Sequence, residues 1–209
     1  MEYTRHIHEI EPVFDERSRV LLLGSFPSPK SRELGFFYGH PQNRMWKVLA
    51  AVTDEDVPQT VAERRAFLLR NGIAMWDVLA SCAIRGASDA SIQDAVPNDL
   101  SRVLDTVPIE RIYATGAKAH ELYRRYLEPV CGRECVRLPS TSPANAAMGL
   151  DELIEAYRVL LDERDFSTAL TSFAPLEMTM DHDCLARNDW DASLRSARVH
   201  YCHFDWSRR

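Results

Sequence analysis

The sequence is poor in lysine: of its 25 basic residues only Lys30, Lys47 and Lys118 are lysines, and the rest are arginines. Arginine suits bidentate contacts to phosphate but forms no Schiff base, so covalent imine chemistry has few candidates. Long apolar runs are absent, and none approaches the ~20 residues that a membrane-spanning helix requires. The first residues, MEYTRHIHEIEP, lack the apolar stretch of a secretory leader, and a cytoplasmic location is expected. Cysteine is scarce and odd in number (Cys82, Cys131, Cys135, Cys184, Cys202), without the spacing of a disulfide framework, so reduced thiols are expected. Also missing are G-x-x-x-x-G-K-[ST], a G-x-G-x-x-G after the first strand, and G-x-S-x-G. Their absence speaks against the common nucleotide cradles and serine-hydrolase chemistry. His182, Cys184, His200, Cys202 and His203 follow no recognised zinc spacing, so no metal is expected. The net charge of −6 argues against a general nucleic-acid coat, though a local basic surface can sit inside an acidic total.

What remains is an ordinary globular composition, 45% hydrophobic and 27% charged, in 209 residues. Short apolar runs at 19–24 (RVLLLG), 72–79, 111–116 and 135–138 read as buried strands. Between them, helical patterns are expected over 45–52, 61–69, from Ser101, after Gly116 (AKAHELYRRYL) and over 151–162. The alternation predicts an α/β fold: a three-layer αβα sandwich around a mostly parallel central sheet of about four strands. A long loop, SFPSPKSRELGFFYGHPQNR, follows the first strand, and such loops are usually functional. From Phe166 the periodicity weakens, with six acids, five arginines and scattered aromatics over 166–209. Residues 1–165 are therefore read as one domain and 166–209 as an appendage.

In parallel α/β sheets, ligands bind at the carboxyl ends of the strands. There the sequence carries Leu23-Gly24-Ser25-Phe26-Pro27-Ser28, then Phe37-Tyr38-Gly39-His40-Pro41-Gln42-Asn43-Arg44-Met45-Trp46, then IAMWDVLASC with Asp77, and finally Leu138-Pro139-Ser140-Thr141-Ser142-Pro143-Ala144-Asn145. These segments, in this order, resemble the motifs of the uracil-DNA glycosylase superfamily, most closely its deoxyinosine (hypoxanthine) branch, over roughly residues 7–165.

The resemblance implies a DNA-repair enzyme that flips a deaminated base from DNA and hydrolyses its N-glycosidic bond, leaving an intact abasic site. Departure of the base leaves an oxocarbenium-like sugar, so the reaction needs a fixed water and donors to the base more than a strong nucleophile. By resemblance Asn43 is the main catalytic residue, and Asp77 stands where the superfamily places a base-reading amide. Many members carry Asp or Asn where this chain has Phe26, so water activation passes to Asn43, Asp77 or His40. Phe26, Phe37 and Tyr38 are expected around the base, since aromatic faces stack on any base. Asn43, Asp77 and the Ser140–Ser142 turn also admit plain capping readings. The resemblance assigns DNA contacts to Ser28, Ser140, Thr141, Ser142 and Asn145, using hydroxyls and backbone N–H groups. Lys30, Arg32, Arg44 and Lys47 against Glu33 alone make residues 30–47 locally basic, the footprint of phosphate binding. No cofactor is implied; the expected partner is DNA bearing a deaminated base, with no membrane and a monomeric protein. Uracil or a G/U mismatch is the alternative substrate. A catalytically silent nucleic-acid-binding module and a small-molecule α/β enzyme are the alternative classes.

Overall fold

A computed structural model describes residues 2–86 and 88–162. The appendage from Phe166, with its histidine and cysteine residues, lies outside the described residues. In chain order the elements are β1 (Thr4–Ile7), β2 (Val20–Gly24), α1 (Pro29–Leu34), α2 (Met45–Thr53), α3 (Val61–Arg70), β3 (Ile73–Asp77) and β4 (Leu79–Ile84). After a single 3₁₀ turn at Asp89–Ser91 come β5 (Gln93–Pro97), α4 (Ser101–Leu104), β6 (Arg111–Thr115), α5 (Ala117–Tyr126), α6 (Glu128–Cys131), β7 (Val136–Leu138), α7 (Leu150–Tyr157) and α8 (Val159–Asp162).

The central sheet is the expected one: four parallel strands in the order β3-β2-β6-β7. β2 is flanked on both sides, and all five of its residues are buried, which is why VLLLG reads as an unbroken apolar run. α3 packs on β3, α5 on β6 and β7, and α2 against α7. Leu21–Leu23, Met45, Leu49, Phe67, Met75 and Tyr113 fill the core between these layers. No helix among the described residues is long and apolar enough to cross a membrane.

The second sheet, antiparallel with order β1-β4-β5, was not legible in the sequence. The run expected as one strand over 72–79 is divided: β3 ends at Asp77 and β4 begins at Leu79 in the other sheet. Val78 bridges them, its N–H donating to Gly24 O while Leu79 N–H donates to Ser25 O. Asp77 thus stands where the chain leaves the parallel sheet. The long loop also holds a short helix: Ser28 caps α1 by accepting from Ser31 N–H, Pro29 opens it, and Gly35 closes it at φ 68°. The last expected helix is two pieces, α7 and α8, parted at Arg158.

Candidate active site

Strand order places β2 between β3 on one side and β6 on the other, so successive connections run in opposite directions from β2. The crevice between the ends of β2 and β6 is the switch point of this sheet, the usual ligand position in open α/β folds. A cavity of about 880 Å³ opens there. The last residue of every parallel strand lines it: Gly24, Asp77, Thr115 and Leu138. All ten residues singled out from the sequence border this cavity: Phe26, Ser28, Phe37, Tyr38, Asn43, Asp77, Ser140, Thr141, Ser142 and Asn145. His40 borders it too.

Asn43 sits just before α2. Its Oδ1 accepts the N–H of Met45 at 2.9 Å and the hydroxyl of Thr141, also at 2.9 Å. The backbone donor decides which amide atom is oxygen. Both lone pairs of that oxygen are therefore occupied, and Nδ2 has no partner among the described residues. Asn43 starts a helix and faces the cavity at once, so the capping and functional readings of this residue are compatible. Thr141 is buried with its hydroxyl committed to Asn43.

Asp77 is held from behind by a residue that sequence reasoning missed. His8 Nδ1 accepts Ile10 N–H at 3.2 Å, which leaves the ring proton on Nε2, and Nε2–H donates to Asp77 Oδ2 at 2.8 Å. The side chains are 0% and 6% exposed, so the pair is sealed from bulk water. Phe26, Phe37 and Trp76 enclose the imidazole, with ring centroids 6.0–6.4 Å away. Asp77 Oδ1 has no protein donor among the described residues and stands over Gly24, where a Cβ would come within 2.1 Å of it. Nothing in the stretch TRHIHEI marks His8, because its partner lies 69 residues away.

The aromatics divide. Phe37 borders the cavity but is buried against Phe36 and His8, while Phe26 lies under the Arg32 guanidinium. Tyr38 adopts φ 50°, a conformation costing a non-glycine residue about 1–3 kcal/mol. Its hydroxyl bonds Thr115 Oγ1 at 2.7 Å, and Thr115 Oγ1 donates onward to Leu23 O. Burial and the nearby Asp77 carboxylate raise the phenol well above its ordinary range, so Tyr38 stays neutral.

A second carboxyl borders the cavity without having been anticipated. Asp89, in the turn between β4 and β5, receives the hydroxyl hydrogen of Ser25 at 2.5 Å. The residue as a whole is exposed, and its carboxyl makes a part-buried contact with the buried Ser25. Desolvation, then the Asp77 charge, push it upward, and the Ser25 bond and Lys118 only partly offset them. In sequence it is one more acid in the polar stretch GASDASIQ.

Within the basic segment 30–47, Arg44 differs from the phosphate contact expected of it, while Lys47 is exposed. Lys30 is paired with Glu33 at 2.7 Å, and Arg32 donates to Pro27 O. Arg44 turns inward: its guanidinium donates to Thr141 O, Ser142 O, Asn145 O and Met148 O. Three carbonyls of the final motif and that of Met148 just beyond it converge on one planar cation, which is why this loop keeps a defined shape without regular structure. Asn145 Nδ2 donates to Ser140 O and Tyr157 OH to Pro139 O, bracing the loop further. Ser140 and Ser142 accept from Ser142 N–H and Ala144 N–H respectively. Lysine cannot serve carbonyls spread over eight residues, because its three donors radiate from one atom. Arg44→Lys is expected to cost about 1–3 kcal/mol in stability from unpaired carbonyls, read by thermal denaturation, and to weaken duplex binding in the same variant.

The family model of the uracil DNA glycosylase superfamily matches residues 11–161. The chain belongs to that superfamily. It is 35% identical over 135 residues to a protein of Methanosarcina acetivorans named hypoxanthine DNA glycosylase, covering 64% of this chain and 84% of that protein. A protein of the same name from Methanosarcina barkeri is 33% identical over 135 residues, covering 64% of this chain and 85% of its own. The solution NMR structure of a candidate uracil DNA glycosylase from M. acetivorans superimposes with a TM-score of 0.63 at 30% identity. It covers 75% of this chain and 99% of that one.

Proposed function

We propose that this protein is a monofunctional DNA glycosylase that removes hypoxanthine from deoxyinosine after drawing the nucleoside out of the duplex. The observation that carries the reading is the meeting of Asn43, Asp77 and the 140–145 loop around one cavity at the sheet's switch point. The two relatives named for hypoxanthine support the choice of base. The residues then divide the work. Asp77 Oδ1, oriented by His8, accepts the N1–H of the base. Asn43 acts through Nδ2, its remaining donor, toward the negative charge that develops on the departing base. This differs from an amide that fixes water through its oxygen, since that oxygen already serves Met45 and Thr141. The hydroxyls of Ser28, Ser140 and Ser142 hold phosphates near the extruded nucleotide. Phe26, Phe37 and Tyr38 supply the apolar wall against which the base lies.

None of the three lysines lines the cavity, in keeping with hydrolysis rather than an imine step. The catalytic domain is taken to close near residue 165, shortly after the last described helix, leaving 166–209 as an appendage.

The experiment is a panel of labelled duplexes carrying deoxyinosine, deoxyuridine or deoxyxanthosine, incubated with the protein and then treated with alkali. Strand breakage is expected at deoxyinosine, and only after alkali. Breakage confined to deoxyuridine would move the assignment to uracil. Binding of all three without breakage would leave a silent recognition module.

A further inference from the structure

We propose that Asp89 is a catalytic acid of this site, giving its proton to the departing purine. The inference rests on the reading above that the substrate is a purine nucleoside in DNA. Its geometric basis is the position of the carboxyl. It borders the cavity, and Ser25, the residue immediately before Phe26, donates to it at 2.5 Å. Phe26 occupies the place where the resemblance leads one to expect a polar residue, so the Gly24–Ser28 segment brings no acid or amide of its own. The turn between β4 and β5 brings a carboxyl to the same rim from the other sheet.

The chemistry explains why a purine site gains from such a group. When the C1′–N9 bond of deoxyinosine breaks, its electron pair goes to the base. A proton delivered to N7 from the Asp89 carboxyl lets the base leave as a neutral molecule. The aspartate left behind is an anion beside the positively charged sugar. Water then adds to C1′ and loses one proton, which restores the Asp89 acid; the sum is hydrolysis with no other reactant. A pyrimidine lacks N7 and gains nothing from this donor.

The surroundings of Asp89 favour its protonated acid more than those of an ordinary carboxyl do. Desolvation is the largest upward influence, Asp77 on β3 adds to it, and Ser25 and Lys118 on α5 oppose it. The other titratable groups that feel it are Cys82 on β4 and Tyr38, both raised in part by the Asp89 charge. Because the folded state holds this proton more tightly than the unfolded chain does, ionisation of Asp89 weakens the fold as pH rises above the ordinary carboxyl range. A change to the uncharged isostere is therefore not expected to lower the melting temperature at pH 7.

The test is Asp89→Asn under single-turnover conditions on a deoxyinosine duplex. Asparagine still accepts from Ser25 but has no acidic proton, so fold and binding are kept while the acid is lost. The expected result is a fall of about 100-fold in the cleavage rate with duplex affinity unchanged. The wild-type rate is expected to decline as pH rises through the pKa of Asp89, and the variant to lose that limb. Ser25→Ala removes a bond that favours the ionised form, so it should move the limb to higher pH, a response that a merely structural Asp89 would not give. With 7-deaza-deoxyinosine, which has no N7, wild type and Asp89→Asn should cleave at the same slow rate. A variant as fast as wild type on deoxyinosine, or one that loses the same factor on both substrates, overturns the proposal. Wild-type protein that cleaves no deoxyinosine overturns the functional reading, and this inference falls with it.

Discussion

Asn43→Ala is expected to lower the single-turnover cleavage rate about 100- to 1000-fold, the usual consequence of removing a donor aimed at developing negative charge. Alanine also leaves Met45 N–H and Thr141 OH without their acceptor, so some loss of stability accompanies the loss of rate. Asn43→Asp separates the two effects. Its carboxylate accepts from both Met45 and Thr141, keeping the start of α2 and the link to the final motif, but it has no N–H to offer. If the donor at Nδ2 matters, the aspartate variant loses as much rate as the alanine variant while its melting temperature stays close to wild type. Single-turnover kinetics beside thermal denaturation read both quantities. An aspartate variant with wild-type turnover would assign Asn43 to architecture alone.

Gly24→Ala carries the other large expected effect, and it is one that only the packing reveals. The methyl group would stand 2.1 Å from Asp77 Oδ1 and 3.3 Å from the Tyr38 hydroxyl. Neither neighbour is a loose surface chain. Asp77 is held on its far side by His8, and Tyr38 is anchored through Thr115 to the carbonyl of Leu23. Moving the carboxylate away would strip the buried imidazole N–H of its acceptor. Overpacking of this kind typically costs about 1–3 kcal/mol. Activity should suffer more, because displacement of Asp77 misplaces the group that reads the base. The expected result is a soluble protein with a lowered melting temperature and a cleavage rate reduced about 100-fold, in line with the sensitivity of reaction rates to displacements near 1 Å. Wild-type activity in Gly24→Ala would mean that Asp77 Oδ1 does not need its observed position.

The same two residues show how far a linear reading reaches. Gly24 is visible in sequence as the residue that ends an apolar run, and Asp77 as the acid that ends another. That they are neighbours follows from the parallel register Gly24↔Asp77 between β2 and β3, which no local pattern encodes. The split of the 72–79 run is a similar case. Apolar content marks a buried strand, yet both sides of Val78 are equally apolar, so the change of sheet leaves no compositional trace. β1 and β5 escaped notice because they are short and mostly exposed, with neither an apolar run nor a clean alternation. α1 was different: Ser28, Pro29 and Gly35 are ordinary helix punctuation, hidden here by the density of proline and glycine around them.

The sequence by itself determined the α/β class, the four parallel strands and the segments that end them, because burial on both faces of a sheet demands apolar runs and strand ends demand loops. Tertiary structure alone decided which chemical groups those segments deliver. Folding makes the His8 ring the partner of Asp77, turns Arg44 from a phosphate contact into the anchor of the 141–148 loop, and sets the Asp89 carboxyl against Ser25. Each of these pairings joins residues 64 or more positions apart. Their strength comes from mutual burial and direction, and neither property exists until the strands are in register.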